Sequence, residues 1–151
     1  MTFDPIAIES LIKTLDTLSP DTKPIWGSMS AQRMVEHIAD SLKVANGKVS
    51  LPLEIPEENI PKMQAFLASD KPLPKLVNVS FALPDTPLRH EEIELAIDEV
   101  LLEWIDFDDH FTTENHTVIH PYYGPLNYDQ WCRLHAKHVI HHLEQFGLTL
   151  I

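Results

Sequence analysis

Apolar residues recur at the i, i+3, i+4, i+7 spacing of an amphipathic helix in four stretches of this chain. The first stretch covers residues 8–18 and is followed by "SPDTKP", whose prolines end a helix. The second lies within residues 28–47, where Ser28 or Ser30 is suited to cap the helix and the "NG" at its end to stop it. The pattern predicts one helix in each of these two stretches.

Two further helices are predicted in the second half of the chain. One covers about residues 88–104, with apolar side chains on one side and acidic ones on the others, which is typical of a face that meets water. These acidic residues, to which we assign no catalytic role, include Glu91, Glu94, Asp98 and Glu99. The last helix begins after Asn127, continues to Phe146 and stops at Gly147.

Residues 48–87 separate the second and third helices and carry most of the prolines. Proline removes a backbone donor and restricts its neighbour, so no long helix can continue through this connection. A short helix could form at residues 59–70 and an extended piece at residues 76–83. Four helices and one long proline-rich crossover predict an all-α four-helix bundle, a single domain over residues 1–151, with an α+β fold as the alternative.

Composition and charge narrow the classes of partner. With 23 acidic and 11 basic residues the formal charge is -12, and no basic patch interrupts it, so we expect no binding to nucleic acid or to anionic membranes. The lone Cys132 excludes an intramolecular disulfide, agrees with a reducing compartment and is interpreted as a buried thiol. The amino terminus lacks a basic, apolar leader and no uncharged apolar run could cross a bilayer, which predicts a cytoplasmic protein.

Histidines are concentrated in "LHAKHVIHHLEQFG", within the last predicted helix. His138 and His142 differ by only about 40° around a helix and stand one turn apart, so both side chains can reach one cation. The same helical wheel places them near apolar positions that face the interior. Arg133, Lys137 and Glu144 are predicted to point outward.

A third ligand is expected from another helix, because helical bundles build metal sites from facing helices. His37 is the candidate, since it lies at the edge of the apolar face of the second helix. Three neutral imidazoles leave a position of a divalent ion open and suit zinc, nickel, iron or copper, with zinc favoured by availability. For a histidine such as His37 taken alone, the alternative is a satisfied core residue or a pH-sensitive surface group.

Three further residues are assigned to the surroundings of the predicted site. Asp40 lies close after His37 and could accept an N–H hydrogen bond from a ligand imidazole, with simple exposure as the alternative. His135 is too far along the helix to share the ion, so it is interpreted as a supporting residue or as part of the pocket lining. His120 could relay a proton if its loop folds over the site, or it could only set the loop conformation before Pro121.

The segments "GSMSAQRMVEHIADSL" and "HPYYGPLNYDQWCRLHAKHVIHHLEQFGL" together resemble the DinB-like superfamily, in particular a branch with an HP-aromatic-aromatic-G and KH-x-x-HHL-x-QFG signature. Residues 48–114 match only in general character. Members of that superfamily are four-helix bundles, commonly dimeric, in which a histidine of the second helix and a His-x-x-x-His pair of the last helix bind a divalent metal. The resemblance therefore implies a homodimer with His37, His138 and His142 as metal ligands.

The resemblance also implies a small-molecule substrate. Some relatives use the metal to activate a low-molecular-weight thiol for transfer or isomerisation, and others resemble metal-dependent hydrolases, so we expect a metal-dependent transferase or hydrolase without assigning a catalytic residue. The alternative is a noncatalytic helical bundle whose histidines form a polar pocket for a small ligand or stabilise a dimer interface. A response of thermal stability to chelator separates the two, because a native-state ligand raises stability.

Overall fold

The computed structural model describes residues 3–75, 82–113 and 115–151, and this part of the chain is mostly helical, as the all-α prediction requires. The helices are α1 (Ile8–Asp16), α2 (Ala31–Ala45), α3 (Ile60–Ala68), α4 (Ile93–His110) and α5 (Tyr128–Gln145). A 3-10 turn at Glu57–Asn59 leads directly into α3. Two short strands, β1 (Val118–His120) and β2 (Gly124–Leu126), pair antiparallel as a hairpin.

The helices α2 and α5 lie where the apolar spacing predicts them, with caps of the predicted kind. Ser30 accepts a hydrogen bond from the Arg33 amide at 3.1 Å. Asn127 accepts one from the Gln130 amide at 2.9 Å, and the Gln130 side chain accepts one from the Asn127 amide, which completes a capping box. Because these caps fix where each helix starts, they also fix the register of the histidines that follow.

The helix α4 lies further along the chain than the helix predicted at residues 88–104. The backbone amides of Arg89 and His90 donate to the buried carboxylate of Glu36, which holds this stretch outside the helix. At its other end α4 continues because Phe107 adds a further fully buried side chain to the apolar face.

Charged side chains join α2 to α4. The prediction that the acidic residues face water is therefore wrong for Glu99, while the other three are exposed as expected, namely Glu91, Glu94 and Asp98. Glu99 accepts a hydrogen bond from Lys43 at 2.8 Å and is also paired with Arg89. Burial alone would raise the pKa of Glu99, but hydrogen bonds from Lys43 and Arg89 lower it to about 2. Asp40 pairs with Arg89 at 2.7 Å and with Arg33 at 3.2 Å. This network fixes the position of α2 against α4.

The connection between α2 and α4 contains α3, where the short helix at residues 59–70 is predicted. The extended piece predicted at residues 76–83 lies almost wholly outside the described residues. The hairpin of β1 and β2 is not predicted from the sequence, because strands of three residues are too short to show an alternating pattern.

Apolar side chains of α2 form the centre of the core. Met34, Ile38 and Leu42 are at most 1% exposed and belong to one continuous cluster with buried residues of α4 and α5, among them Val100 and Trp131. This cluster is the packed interior against which the histidine-bearing faces of α2 and α5 lie. None of the described helices combines the length and the apolar character that crossing a membrane requires.

Two basic residues of α5 bind the end of α3, which corrects the prediction that both point outward to solvent. Lys137 is fully buried, and its ammonium group donates to the carbonyls of Phe66 at 2.9 Å and Lys71 at 2.8 Å. Arg133 donates to the carbonyl of Leu67 at 2.9 Å. Carbonyls at the carboxyl end of a helix lack intrahelical partners and attract cations, so these side chains tie α5 to α3.

Gly124→Ala should destabilise the protein by about 3 kcal/mol, because Gly124 has a φ of 74° and an added Cβ would lie 2.9 Å from Ile60 Cδ1. Gly147→Ala is the matched control, since its φ is 71° but the nearest atom, in Ile25, would lie at an ordinary 3.5 Å. We expect the control to lose only about 1 kcal/mol. Urea unfolding measures both, and equal losses would contradict the close packing of the hairpin on α3.

Candidate metal centre

His37 on α2 and His138 and His142 on α5 bring their ring nitrogens together between the two helices. The Nε2 atoms of His37 and His138 are 2.8 Å apart, and those of His138 and His142 are 3.1 Å apart. Among the described residues this is the one group of three potential metal ligands whose ligand atoms all lie within 4.8 Å of one another. Atoms this close fit within one coordination sphere.

The helix register explains why these side chains meet. The four-residue step between His138 and His142 puts both rings on one face of α5, one turn apart. His37 immediately precedes the core residue Ile38 and is 9% exposed, so its ring faces the interior between the helices. Residues that are distant in the sequence therefore converge because both helices turn their apolar sides to the same core.

Gln145 fixes the proton of His142. Its side-chain Nε2 donates to the carbonyl of Trp26 at 3.1 Å, so its Oε1 faces His142 and accepts a hydrogen bond from the ring Nδ1 at 2.7 Å. With the proton on Nδ1, the lone pair of His142 Nε2 is free and directed toward the other two rings.

Ser41 has the same effect on His138. Its hydroxyl donates to the carbonyl of Ile38 at 2.8 Å, so toward His138 Nδ1, which lies 3.4 Å away, its oxygen can only accept. This contact favours the tautomer with the proton of His138 on Nδ1, which leaves the lone pair of Nε2 facing the centre of the cluster. Two of the three rings thus hold the tautomer that a metal ligand needs.

Burial keeps the three imidazoles uncharged. It is the largest cause that lowers the pKa of His37 and of His138 far below the usual value, and neighbouring histidines lower both further. Burial also lowers the pKa of His142 to about 4, against the opposing effect of its hydrogen bond to Gln145. Neutral imidazole is the form that binds a metal ion, so the charge state of the cluster at neutral pH fits a cation.

Asp40 does not support the cluster, contrary to the sequence-based expectation. Its carboxylate binds the guanidinium groups of Arg33 and Arg89, which offer charge-assisted hydrogen bonds that a neutral imidazole cannot match. The Nδ1 atom of His37 is buried and has no hydrogen-bond partner among the described residues. The ring of His37 therefore lacks the kind of support that Gln145 and Ser41 give to the other two.

The three-histidine cluster lies in the wall of a cavity of about 1050 Å³. The wall is mostly apolar, with contributions from α2, α3, α5 and the loop of the hairpin. Examples of its lining residues are Met29, Val44, Phe66, Leu73, Tyr123 and Trp131.

His120, His135 and His141 line the same cavity outside the cluster. Of the two roles considered for His135, a supporting residue or a part of the pocket lining, the structure shows the second. The Nδ1 atom of His120 accepts a hydrogen bond from the Tyr122 amide at 3.0 Å, which holds the turn of the hairpin, while burial lowers the pKa of the ring to about 4. His120 thus sets the conformation of its loop and also faces the cavity, so the two roles considered for it are compatible.

Gln145 and Ser41 are two residues of the site that the sequence patterns do not indicate. Each lies within one helical turn of a cluster histidine, Gln145 three residues after His142 and Ser41 four residues after His37. That spacing was a usable signal. The hydrogen bonds that make these residues important depend on partners elsewhere in the chain, the carbonyl of Trp26 and the ring of His138.

Fold and site together define a mostly helical protein with three converging histidines beside an apolar cavity. The family model described as the DinB superfamily matches residues 6–146, and the chain therefore belongs to the DinB superfamily. This confirms the resemblance to the superfamily, while membership of the branch with the carboxy-terminal signature stays a prediction. No curated protein and no solved structure matches the chain at a significant level.

Stability should depend on pH through His135. Burial lowers the pKa of this ring to about 3, with a further effect of His120, against about 6.5 in the unfolded chain. As the pH falls, the unfolded state takes up the proton first, so unfolding becomes easier. The stability contributed by the neutral ring is complete above about pH 6.5 and is lost progressively toward about pH 3.

His135→Phe removes this titration while keeping a ring among Trp104, Phe107 and Trp131. The measurement is urea unfolding of metal-free protein at several pH values between about 7.5 and 4.5. As the pH falls, the free energy of unfolding should decrease more for the wild type than for the variant. A difference that stays constant over this range would contradict the burial of an uncharged imidazole at this position.

Proposed function

We propose that this protein is a metal-dependent enzyme that acts on a small molecule, with a divalent ion held by His37, His138 and His142. The observation that carries the proposal is the convergence of three uncharged imidazoles, two of them with the tautomer fixed so that Nε2 faces the centre. Membership of the DinB superfamily, whose members often bind metal, agrees with it. Zinc is the preferred ion by availability, and nickel or iron would suit the same ligands.

The chemistry follows from the ligand set. A divalent cation bound by three imidazoles acts as a Lewis acid and lowers the pKa of a thiol or water at its open position. The cavity beside the cluster would hold the substrate, and its apolar wall would exclude bulk water from that position. Both thiol transfer and hydrolysis fit this arrangement, and a low-molecular-weight thiol is the co-substrate that the family resemblance favours.

The remaining expectations belong to the same proposal. We infer that α1, α2, α4 and α5 form the four-helix bundle of the family, with α3 in the proline-rich crossover. A homodimer and a cytoplasmic location stay predictions from the sequence.

A noncatalytic bundle that binds a small ligand is the second candidate. The apolar cavity favours it, because Asp40 is the one carboxylate among the described lining residues and is already bound by two arginines. In that case the histidines would only supply a polar wall.

Untagged protein incubated with Zn²⁺ and desalted should retain stoichiometric zinc by elemental analysis, and His138→Ala should lose it because two imidazoles cannot hold the ion against dilution. His141→Ala is the matched control, since His141 also lies on α5 and lines the cavity but is outside the cluster. EDTA should lower the melting temperature of the wild type and leave that of His138→Ala unchanged. A wild type that retains no zinc and does not respond to EDTA would favour the noncatalytic bundle.

Gln145→Leu should weaken zinc binding about tenfold, because the variant no longer holds the proton of His142 on Nδ1. Gln130→Leu is the control, since Gln130, the other glutamine of α5, belongs to the cap at the start of the helix and is outside the cluster. The control should lower stability without changing zinc affinity. Competition with a chromogenic chelator measures both affinities, and equal zinc affinity in Gln145→Leu and wild type would rule out the positioning role of Gln145.

A further inference from the structure

The cavity extends well beyond the three-histidine cluster. Its volume of about 1050 Å³ is large enough for a whole small molecule rather than for an ion alone. Side chains such as Met29, Phe66 and Leu73 make most of its wall apolar. A ligand that fills it would therefore bury an apolar body.

The charged side chains that line the cavity leave an excess of positive charge. Asp40 is bound by two arginines, and Lys43 is paired with Glu99. Lys62 and Lys71 line the cavity from α3 and the segment after it, and within the described part of the chain neither ammonium group has an ion-pair partner. In a chain with a formal charge of -12, two such lysines at one cavity indicate a ligand with a negative charge.

The wall beside the cluster is aromatic. His135 is 2% exposed and lines the cavity, and its ring centroid lies 5.6 Å from that of Trp131, which also lines the cavity. Aromatic rings offer an apolar ligand a large packing surface, so this part of the wall suits the body of the ligand and not its charged group. This observation is independent of the lysines and of the metal ligands.

We propose that the cavity binds an apolar small-molecule carboxylate, with its body beside His135 and the three-histidine cluster and its charged group in the part of the cavity to which Lys62 and Lys71 bring positive charge. No arginine is among the described lining residues, and separate lysines suit a single carboxylate better than the bidentate contacts that phosphate recognition favours. The inference rests on the proposed function, because it names the substrate class that would reach the metal centre.

Phenylhexanoate and its uncharged counterpart phenylhexanol are suitable probes. Calorimetric titration of metal-free protein should show tighter binding of the acid than of the alcohol. Lys62→Gln/Lys71→Gln should lose about fivefold in affinity for phenylhexanoate and keep its affinity for phenylhexanol. Lys13→Gln/Lys23→Gln is the matched control, because it removes two exposed lysines that do not line the cavity and should change neither affinity.

Several results would overturn the assignment. They are equal binding of acid and alcohol, no binding of either, an equal loss in the control pair, or binding of the acid only when zinc is present. The last result would mean that the carboxylate is held by the metal and not by the lysines. The titration uses metal-free protein and is therefore independent of the zinc-retention experiment. If the acid binds through the lysines but the wild type retains no zinc, only the proposed function is contradicted.

The ring of His135 gives a second measurement, because a compound bound only at the rim of the cavity would not change its NMR signals. Its NMR resonances, assigned by comparison with His135→Phe, should shift when phenylhexanoate is added. Binding that depends on Lys62 and Lys71 but leaves these resonances unchanged would place the compound outside the cavity and overturn the proposal.

Discussion

The burial of three uncharged imidazoles between α2 and α5 is the constraint on which the rest of the site depends. Removing these rings from water lowers their pKa values, so at neutral pH each presents a lone pair rather than a charge. A lone pair is useful only if it faces the right way. Gln145 and Ser41 satisfy that condition for His142 and His138 through hydrogen bonds that hold the proton on the opposite side of each ring. The ability of the cluster to bind a metal ion would therefore depend on two neutral hydrogen-bonding residues as much as on the histidines.

The two helices must also be held in place, and contacts of charged side chains away from the cluster fix each of them to a neighbouring element. On one side, Glu36 accepts hydrogen bonds from the amides of Arg89 and His90, so the start of α4 is fixed on α2. On the other side, Lys137 places its buried ammonium group on carbonyls at the end of α3, so α5 is fixed on the crossover. A buried charge is stable only with such partners, and in return these contacts allow little sliding of the helices past one another. The positions of the cluster histidines thus depend on contacts of other residues, Glu36 on α2 and Lys137 on α5.

Sequence spacing was sufficient for the parts of this structure that depend on local periodicity. It placed α2 and α5, their caps and the His138–His142 pair, because a helix of known register determines its own faces. It was insufficient where the position of a side chain depends on a partner that is distant in the sequence. Lys137 is predicted to face solvent because its position on the helical wheel does not reveal the carbonyls that α3 brings to it. For Asp40 the sequence leaves an imidazole partner or simple exposure open, because its two arginine partners come from tertiary packing. The same limit explains why Gln145 was missed, since its role depends on the carbonyl of Trp26.

The charge balance of the site connects the metal centre to the cavity. Three neutral imidazoles would leave both positive charges of a divalent ion uncompensated, and Asp40, the one carboxylate among the described lining residues of the cavity, is neutralised by Arg33 and Arg89. Arg33 further disfavours positive charge, since it contributes to the lowered pKa of His37. Net positive charge in a buried place is costly, so an ion held there would favour an anionic partner at its open position, such as a thiolate, a hydroxide or a carboxylate. The cavity that opens on the cluster, with Lys62 and Lys71 in its wall, is where such an anion would enter. Although the chain as a whole is strongly acidic, the two exposed lysines in the wall of this cavity bring positive charge to it, which is the charge that the proposed anionic ligand requires.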